Sequence, residues 1–362
     1  MPFAPTDIII RKPVDTTQTN NAGGVMDHSP NAIIVSGQYA NLFPEIEYSV
    51  IEEGRSGESK IREKIFLHNT NPDNLKALNV RVFTRGSGSS HFTASLIEAT
   101  HSDTYVIAKI RRKYGAATLA SAPTYDAGTN TTTIVANTNR ASYAHFTYTP
   151  GDDSKNMIAI SDLESLSDTT GKVEFFTLKE APTWNGAQVT LKMTGELRKT
   201  FATSRIQGSA TIATMVSSVI VFPHMNGLIE VSQNTSAHGT VNAEKIKCSN
   251  RGTISQIITV TFAANGTDFT AVSSQGNLLS SGSILADWSP TNESGYPYFT
   301  IPSDAWENDG NGAWTQGDSV KITTYPTTVQ CYATLDFPPN ASNSEDVTVR
   351  MYHYVQVGRE TL

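Results

Sequence analysis

The residues best spaced for chemistry lie between Glu307 and Asp318. Glu307-Asn308-Asp309-Gly310-Asn311-Gly312, with Asp318 at position twelve, approximates a calcium loop, in which oxygen ligands alternate along a tight turn around a hard cation. Two departures weaken it. Position one is Glu where the pattern uses Asp, and the Asp at position twelve reaches less far for bidentate binding. The flanks read as strand rather than helix, so a polar Asn/Gly hairpin loop is the better reading. The histidines (His28, His68, His91, His101, His145, His224, His238 and His353) are scattered, with no His-x-x-x-His ligand pair. His91 and His101 could meet across a hairpin, but ordinary surface or cross-strand histidines are the better reading. Asp152-Asp153, just after Pro150-Gly151, reads as loop. Glycoside hydrolysis would need two carboxylates facing one cleft. There is no Gly-x-Ser-x-Gly elbow, no Walker A loop and no Gly-x-Gly-x-x-Gly opening a helix. These readings predict no catalytic residue, no cofactor and no metal.

Residues suited to contacts are easier to find. Lys109-x-Arg111-Arg112-Lys113 is the densest basic cluster. It could pair with an acidic face on a neighbouring subunit, or simply end a solvated strand. Trp306 and Trp314 bracket the Asn/Gly loop, and Tyr296-Pro297-Tyr298-Phe299-Thr300-Ile301-Pro302 precedes it. Exposed, these rings could anchor an interface or stack on sugar; buried, they would pack over the end of a sandwich. Asn41-Leu42-Phe43-Pro44 is a short apolar anchor stopped by proline. The candidate interface residues are therefore Phe43, Lys109, Arg111, Arg112, Trp306 and Trp314.

The elements that must position them are β-strands. Of 362 residues 38% are hydrophobic and 17% charged, with abundant Thr, Ser, Asn and Gly. Thr suits pleated strands, and Asn, Gly and Ser suit turns. A net charge of −7 gives no reason to expect nucleic acid as a partner. Cys248 and Cys331 are too few for a disulfide framework and sit in apolar strand patterns. The N-terminus lacks the basic and apolar regions of a signal peptide. No apolar run approaches the ~20 residues that cross a bilayer, so no membrane is expected and folding in a cytoplasm is.

A near-repeat organises the chain. Lys64-Ile65-Phe66-Leu67-His68-Asn69 precedes Leu78-Asn79-Val80-Arg81-Val82-Phe83, and Lys245-Ile246-Lys247-Cys248-Ser249-Asn250 precedes Ile257-Ile258-Thr259-Val260-Thr261-Phe262. Each reads as strand, Asn-containing turn and alternating strand, like the opening hairpin of an immunoglobulin-like sandwich. The expected fold is all-β: two immunoglobulin-like β-sandwich domains with an extended N-terminal arm. The expected boundaries are an arm over 1–30, a sandwich with a loop-rich insertion over 31–215, and a second sandwich over 216–362. The arm is either free or ordered on a neighbouring subunit. Strands are predicted at 61–68, 78–84, 105–110, 132–135, 144–149, 187–193, 211–221, 245–249, 257–262, 319–324, 329–336 and 347–355. One or two helical turns are expected at 162–166.

Two segments resemble virion structural proteins of tailed bacteriophages. Asn41-Leu42-Phe43-Pro44, Gly57, Arg62 and Lys64-Ile65-Phe66 are similar to that group's NLFP…G…R-K-[IV]-F segment, with Glu63 intervening between Arg62 and Lys64. Asn250-Arg251-Gly252-Thr253, Tyr298-Phe299-Thr300-Ile301-Pro302, Trp306, Trp314, Gly317 and Ser319-Val320 are similar to its YFTIP…W…W…G…V segment. The resemblance implies a non-enzymatic virion subunit of the tail, baseplate or neck. Its partners would be copies of itself and other virion proteins. A capsid decoration protein is the nearest alternative, and a carbohydrate-binding module using Trp306, Trp314 and Tyr298 on host glycan is the rival from another class.

Overall fold

A computed structural model describes residues 7–11, 59–85, 93–99, 112–138, 145–164, 168–225, 227–233, 238–274, 276, 278–292, 294–308, 314–337 and 351–361; at 59–63, 93–94, 308, 335–337 and 351–361 it describes the backbone alone. The chain opens with β1 (Ile8–Arg11), β2 (Ser59–Asn69), β3 (Leu75–Thr84), β4 (Thr93–Ala99) and β5 (Lys113–Leu119). It continues through β6 (Thr124–Asp126), β7 (Thr131–Asn137), β8 (Met157–Ser161), β9 (Val173–Thr177), β10 (Thr183–Asn185), β11 (Gln188–Thr194), β12 (Ser204–Gln207), β13 (Ala210–Ala213), β14 (Met215–Ser218) and β15 (Ile220–Met225). Then come β16 (Leu228–Gln233), β17 (Gly239–Val241), β18 (Lys247–Cys248), β19 (Gln256–Phe262), β20 (Asp268–Ser273), β21 (Gly282–Ser283), β22 (Phe299–Thr300), β23 (Trp306–Asn308) and β24 (Ser319–Tyr325). β25 (Thr328–Phe337) and β26 (Met351–Thr361) close the chain. The fold is all-β, every strand pair is antiparallel, and the described residues contain no α-helix.

Among the described residues three large hydrophobic cores divide these strands, with smaller clusters at Ile97, Ala99 and Tyr332 and at Phe83, Ala159 and Val219. The central one lies between the run β1-β2-β25-β4-β5 and the three-stranded sheet β15-β3-β26. Ile8, Ile10, Ile65, Leu67, Val80, Val82, Leu96, Ile220, Val329 and Cys331 fill it. Both ends of the chain build this sandwich, because β25 pairs with β2 from Ser59↔Phe337 to His68↔Thr328 and β26 pairs with β3. That pairing crosses the boundary at 215/216 expected from the sequence. β25 and β26 complete the sandwich that β2 and β3 build, and β1, placed by the sequence in an arm either free or ordered on a neighbouring subunit, is an edge strand of the same sheet.

The second core is a closed ring. β5 divides one edge between β4 (Ser95↔Gly115) and β7 (Leu119↔Ala136) and gives the other to β14 (Val216↔Ala117). β14 continues to β8 and β8 to β9. Leu178, just past β9, bridges Met193 on β11, and β11 pairs with β7. The ring β5–β14–β8–β9–β11–β7 therefore closes on itself, which removes free edges. β11 shows why the sequence does this: Val189, Leu191 and Met193 point inward, alternating with Gln188, Lys192 and Thr194 outside.

The third core fills residues 228–325, where the five-stranded sheet β16-β24-β19-β20-β21 is covered by the short ribbons β17–β23 and β18–β22. Its inward faces supply Ile258, Val260, Phe262, Phe269, Val320 and Ile322.

Several local expectations change. Neither near-repeat is a hairpin: β2 and β3 lie in different sheets, and β18 pairs with β22 while β19 pairs with β20 and β24. Each Asn-containing turn is an arch between sheets. The apolar run 211–221 is split among three strands, β13, β14 and β15, which belong to three different sheets. Residues 145–149 form no strand, although Phe146 packs in the ring core. In β3, Asn79 takes a left-handed φ of 46° where the pairing with β26 slips, so β3 bulges there. Ala77, Val80 and Val82 then face the core, whereas Leu78, expected on that face, lies outside it. The predicted strand at 105–110 lies outside the described residues, as does part of the predicted helical turn at 162–166.

Candidate functional site: a polar joint and an apolar sheet face

The two near-repeat arches meet. In the first, Asn69 is buried; its Nδ2 donates to the Leu75 carbonyl at 2.8 Å and its Oδ1 accepts the Asn71 backbone N–H at 3.0 Å. Asn71 Oδ1 accepts the N–H groups of Asp73 and Leu75, and Asn74 sits at φ 54°, a conformation Asn tolerates better than most residues. This turn presents a rim of carbonyl oxygens. In the second arch, buried Asn250 donates Nδ2 to the Leu75 carbonyl at 3.2 Å and to the Asn71 carbonyl at 3.4 Å. Its N–H donates to Asn74 Oδ1 at 2.9 Å, and its carbonyl meets His68 Nε2 at 2.9 Å. Arg251 donates Nε to the Thr70 carbonyl at 3.0 Å and Nη1 to the Tyr296 hydroxyl at 2.9 Å. The third unit therefore docks on the central sandwich through buried side-chain amides that donate to backbone carbonyls of the first arch, while Asn250 Oδ1 finds no partner among the described residues. Such a joint sets geometry, because hydrogen bonds are directional.

A second junction ties the ring to the central sandwich. Ser217 Oγ donates to the Thr84 carbonyl at 2.8 Å and Arg85 Nη2 to the Ala213 carbonyl at 3.0 Å. Phe83 meets Phe175 edge-on at 5.8 Å, and Arg81 lies over the Phe175 ring. His145 is fully buried beside Gly115, where a Cβ would collide with the imidazole, so β5 needs glycine there. Neither ring nitrogen of His145 finds a partner among the described residues. Burial, with a smaller contribution from Lys113, pushes its pKa down to about 3, so the ring is neutral.

A cleft of about 550 Å³ lies beside the β12–β13 hairpin, lined by Asp162, Thr170, Lys172, Thr200 and Arg205 among others. Its charges are engaged with one another. Arg205 pairs with Asp168, donates Nε to the Asp162 carbonyl at 2.9 Å and donates Nη1 to Thr170 Oγ1 at 3.2 Å, while Lys172 Nζ donates to the Thr200 carbonyl. Burial alone would raise the Asp168 pKa. Hydrogen bonds from the backbone of Glu164, the Thr170 hydroxyl and the backbone of Gly171 and Thr170 outweigh it and hold the group at about 2. The cluster is a latch for the hairpin.

The outer face of the five-stranded sheet is different in kind. Ile257, Val272 and Leu278 are 46%, 45% and 77% exposed. The register places them together: Ile257 exchanges hydrogen bonds with Ser274, two residues from Val272, and Val272 bridges Leu278. Thr259, Thr270 and Thr323 surround them on that face.

The contact residues expected from the sequence fare unevenly. Trp314 is 2% exposed and stacks on Phe262 at 4.3 Å and 7°. Trp306 packs edge-on against Phe262 and Trp314, and Tyr298 is buried in the same core. These rings are packing groups, because the short ribbons fold them down over the sheet. Arg112 lies over the Tyr114 ring and donates to the carbonyls of Thr147 and Lys155 of its own chain, so its guanidinium is not free for a neighbour. Phe43, Lys109 and Arg111 lie outside the described residues, as do His91 and His101. Asp318 is buried and accepts the Thr315 N–H and hydroxyl, closing the turn over residues 315–318; the Asn/Gly segment 309–313 lies outside the described residues. Asp152 likewise caps its own loop at Ser154 and Lys155. Among the described residues no three His, Cys, Asp or Glu side chains stand close enough to hold a metal, and no helix is long and apolar enough to cross a membrane. Both cysteines are free, and burial pushes the Cys248 thiol up to about 11.

Sequence reasoning missed both the joint and the apolar face. The near-repeat carried a signal for the first in its two asparagines. The second was readable only as unexplained Ile257 and Val272 on the polar side of alternating strands. No protein-family model matches the chain, and neither a curated protein nor a solved structure matches it.

Proposed function

We propose that this chain is a non-enzymatic structural subunit of a tailed-phage virion, in the tail, baseplate or neck, and that it works through contacts with copies of itself and with other virion proteins. The observation that carries this reading is the apolar outer face formed by Ile257, Val272 and Leu278. Contiguous exposed apolar side chains on a well-packed sheet mark a surface that is covered in use. The rest of the molecule is consistent with a scaffold. The charged side chains of the cleft beside β12–β13 are engaged with one another, Trp314 is buried, and Trp306 is partly buried against the same core. A glycan-binding role would need those rings at the surface, so it is not favoured; a capsid decoration protein remains the alternative placement.

The test is gold-labelled antibody against this chain on intact phage particles whose genome encodes it. Label at the tail or its junctions agrees with the proposal, and label spread over the head makes the chain a decoration protein. Particles that lack the chain altogether overturn the virion reading.

A further inference from the structure

We infer that β1 is an exchangeable strand, and that in the assembled state the free edge of β2 receives residues 7–11 of a second copy of this chain. β1 pairs with β2 alone, over four positions from Ile8↔Asn69 to Arg11↔Phe66. The contacts are specific. Ile8 and Ile10 are buried in the central core. The Asp7 carbonyl accepts the Thr70 N–H at 2.7 Å and the Thr70 hydroxyl at 3.0 Å, and Asp7 Oδ2 accepts Asn71 Nδ2 at 2.8 Å. Without this strand, β2 would present an unpaired edge beside buried Ile65 and Leu67, so the groove must be filled.

What fills it is decided by tethering. Residues 12–58 separate β1 from β2, a length that can span on the order of 150 Å when extended. The advantage of an intramolecular partner falls as the tether lengthens, whereas that of a neighbouring copy rises with local concentration. Exchange replaces every contact with an identical one, so no contact opposes it. A segment of other sequence would have to reproduce apolar side chains two residues apart behind a carboxylate, which favours this chain's own N-terminus as the occupant. The inference rests on the subunit reading only for the crowding that drives exchange.

The experiment places the photo-cross-linker p-benzoylphenylalanine at Ile9, which is half-buried and lies opposite His68 on β2. Isotopically heavy and light copies of the full chain are mixed, concentrated and irradiated. Cross-links from position 9 to β2 should join heavy with light copies, giving dimers whose yield rises with concentration. Cross-links confined to single chains at every concentration overturn the inference. So does undiminished dimer formation when Ile8→Asp and Ile10→Asp are added. The readout uses purified protein, so failure of the virion reading on particles would be seen separately.

Discussion

Asn69 and Asn250, equivalent positions of the two near-repeats, donate their side-chain amides to the same acceptor, the Leu75 carbonyl, at 2.8 and 3.2 Å. One asparagine closes its own arch and the other joins a separate core to it. Among the described residues the two cores share no apolar cluster, so this carbonyl, with Asn71, Asn74, His68 and Thr70 around it, positions the third unit.

Asn250→Ala should therefore destabilise the protein by about 1–3 kcal/mol, since the Asn71 and Leu75 carbonyls each lose one of two donors at a buried joint. It should also open the chain near Gly227 to protease. Asn250→Asp should cost more than Ala at neutral pH, because a carboxylate would face two carbonyl oxygens, and should recover on acidification relative to wild type at the same pH. Urea unfolding at two pH values, with limited proteolysis, reads this. Equal stability of all three proteins would remove the joint's role.

Trp314→Ala should cost about 3–5 kcal/mol, the range for deleting a large buried aromatic, and should lower the stability of residues 228–325. Gly239→Ala should also destabilise, because a Cβ there would lie 2.3 Å from the Trp314 ring. Thermal melts followed by near-ultraviolet circular dichroism would show both. A Trp314→Ala protein that melts like wild type would contradict the packing.

His145 gives a pH signature. Its folded pKa is depressed to about 3 from 6.5, so between those values the unfolded chain binds a proton that the folded chain does not. Stability contributed by the neutral ring is present above pH 6.5 and falls by up to about 1.4 kcal/mol per pH unit as pH drops toward 3. Asp168 acts in a separate window: its stabilisation is present above 3.8 and is lost toward pH 2. Denaturant midpoints from pH 7 to 4 should fall for wild type and fall less for His145→Gln. Parallel curves would exclude His145 as the cause.

Ile257→Asp with Val272→Asp should leave folding within about 0.5 kcal/mol of wild type, because both side chains are nearly half exposed on the outer face. The same pair should reduce incorporation into particles, measured by quantitative mass spectrometry of purified virions. Normal incorporation would show that this face is not a subunit contact.

The sequence by itself determined the all-β character and the direction of many side chains. In β11 and β19 strict alternation is a local property of successive residues, and the buried sets Val189, Leu191, Met193 and Ile258, Val260, Phe262 follow from it. Strand partners are not local. That β25 inserts between β2 and β4, and that the run 211–221 divides among three sheets, depends on contacts between residues far apart in the chain. The bulge at Asn79 reverses the phase of β3 through one left-handed residue, which alternation cannot announce. Core packing is the better reading of Trp306 and Trp314 from the sequence, but only the fold of the covering ribbons shows which rings they meet. The asparagines of the near-repeat were visible as turns. Their meeting at one carbonyl was decided by the tertiary structure, because a buried amide must find its partner wherever the folded chain brings one.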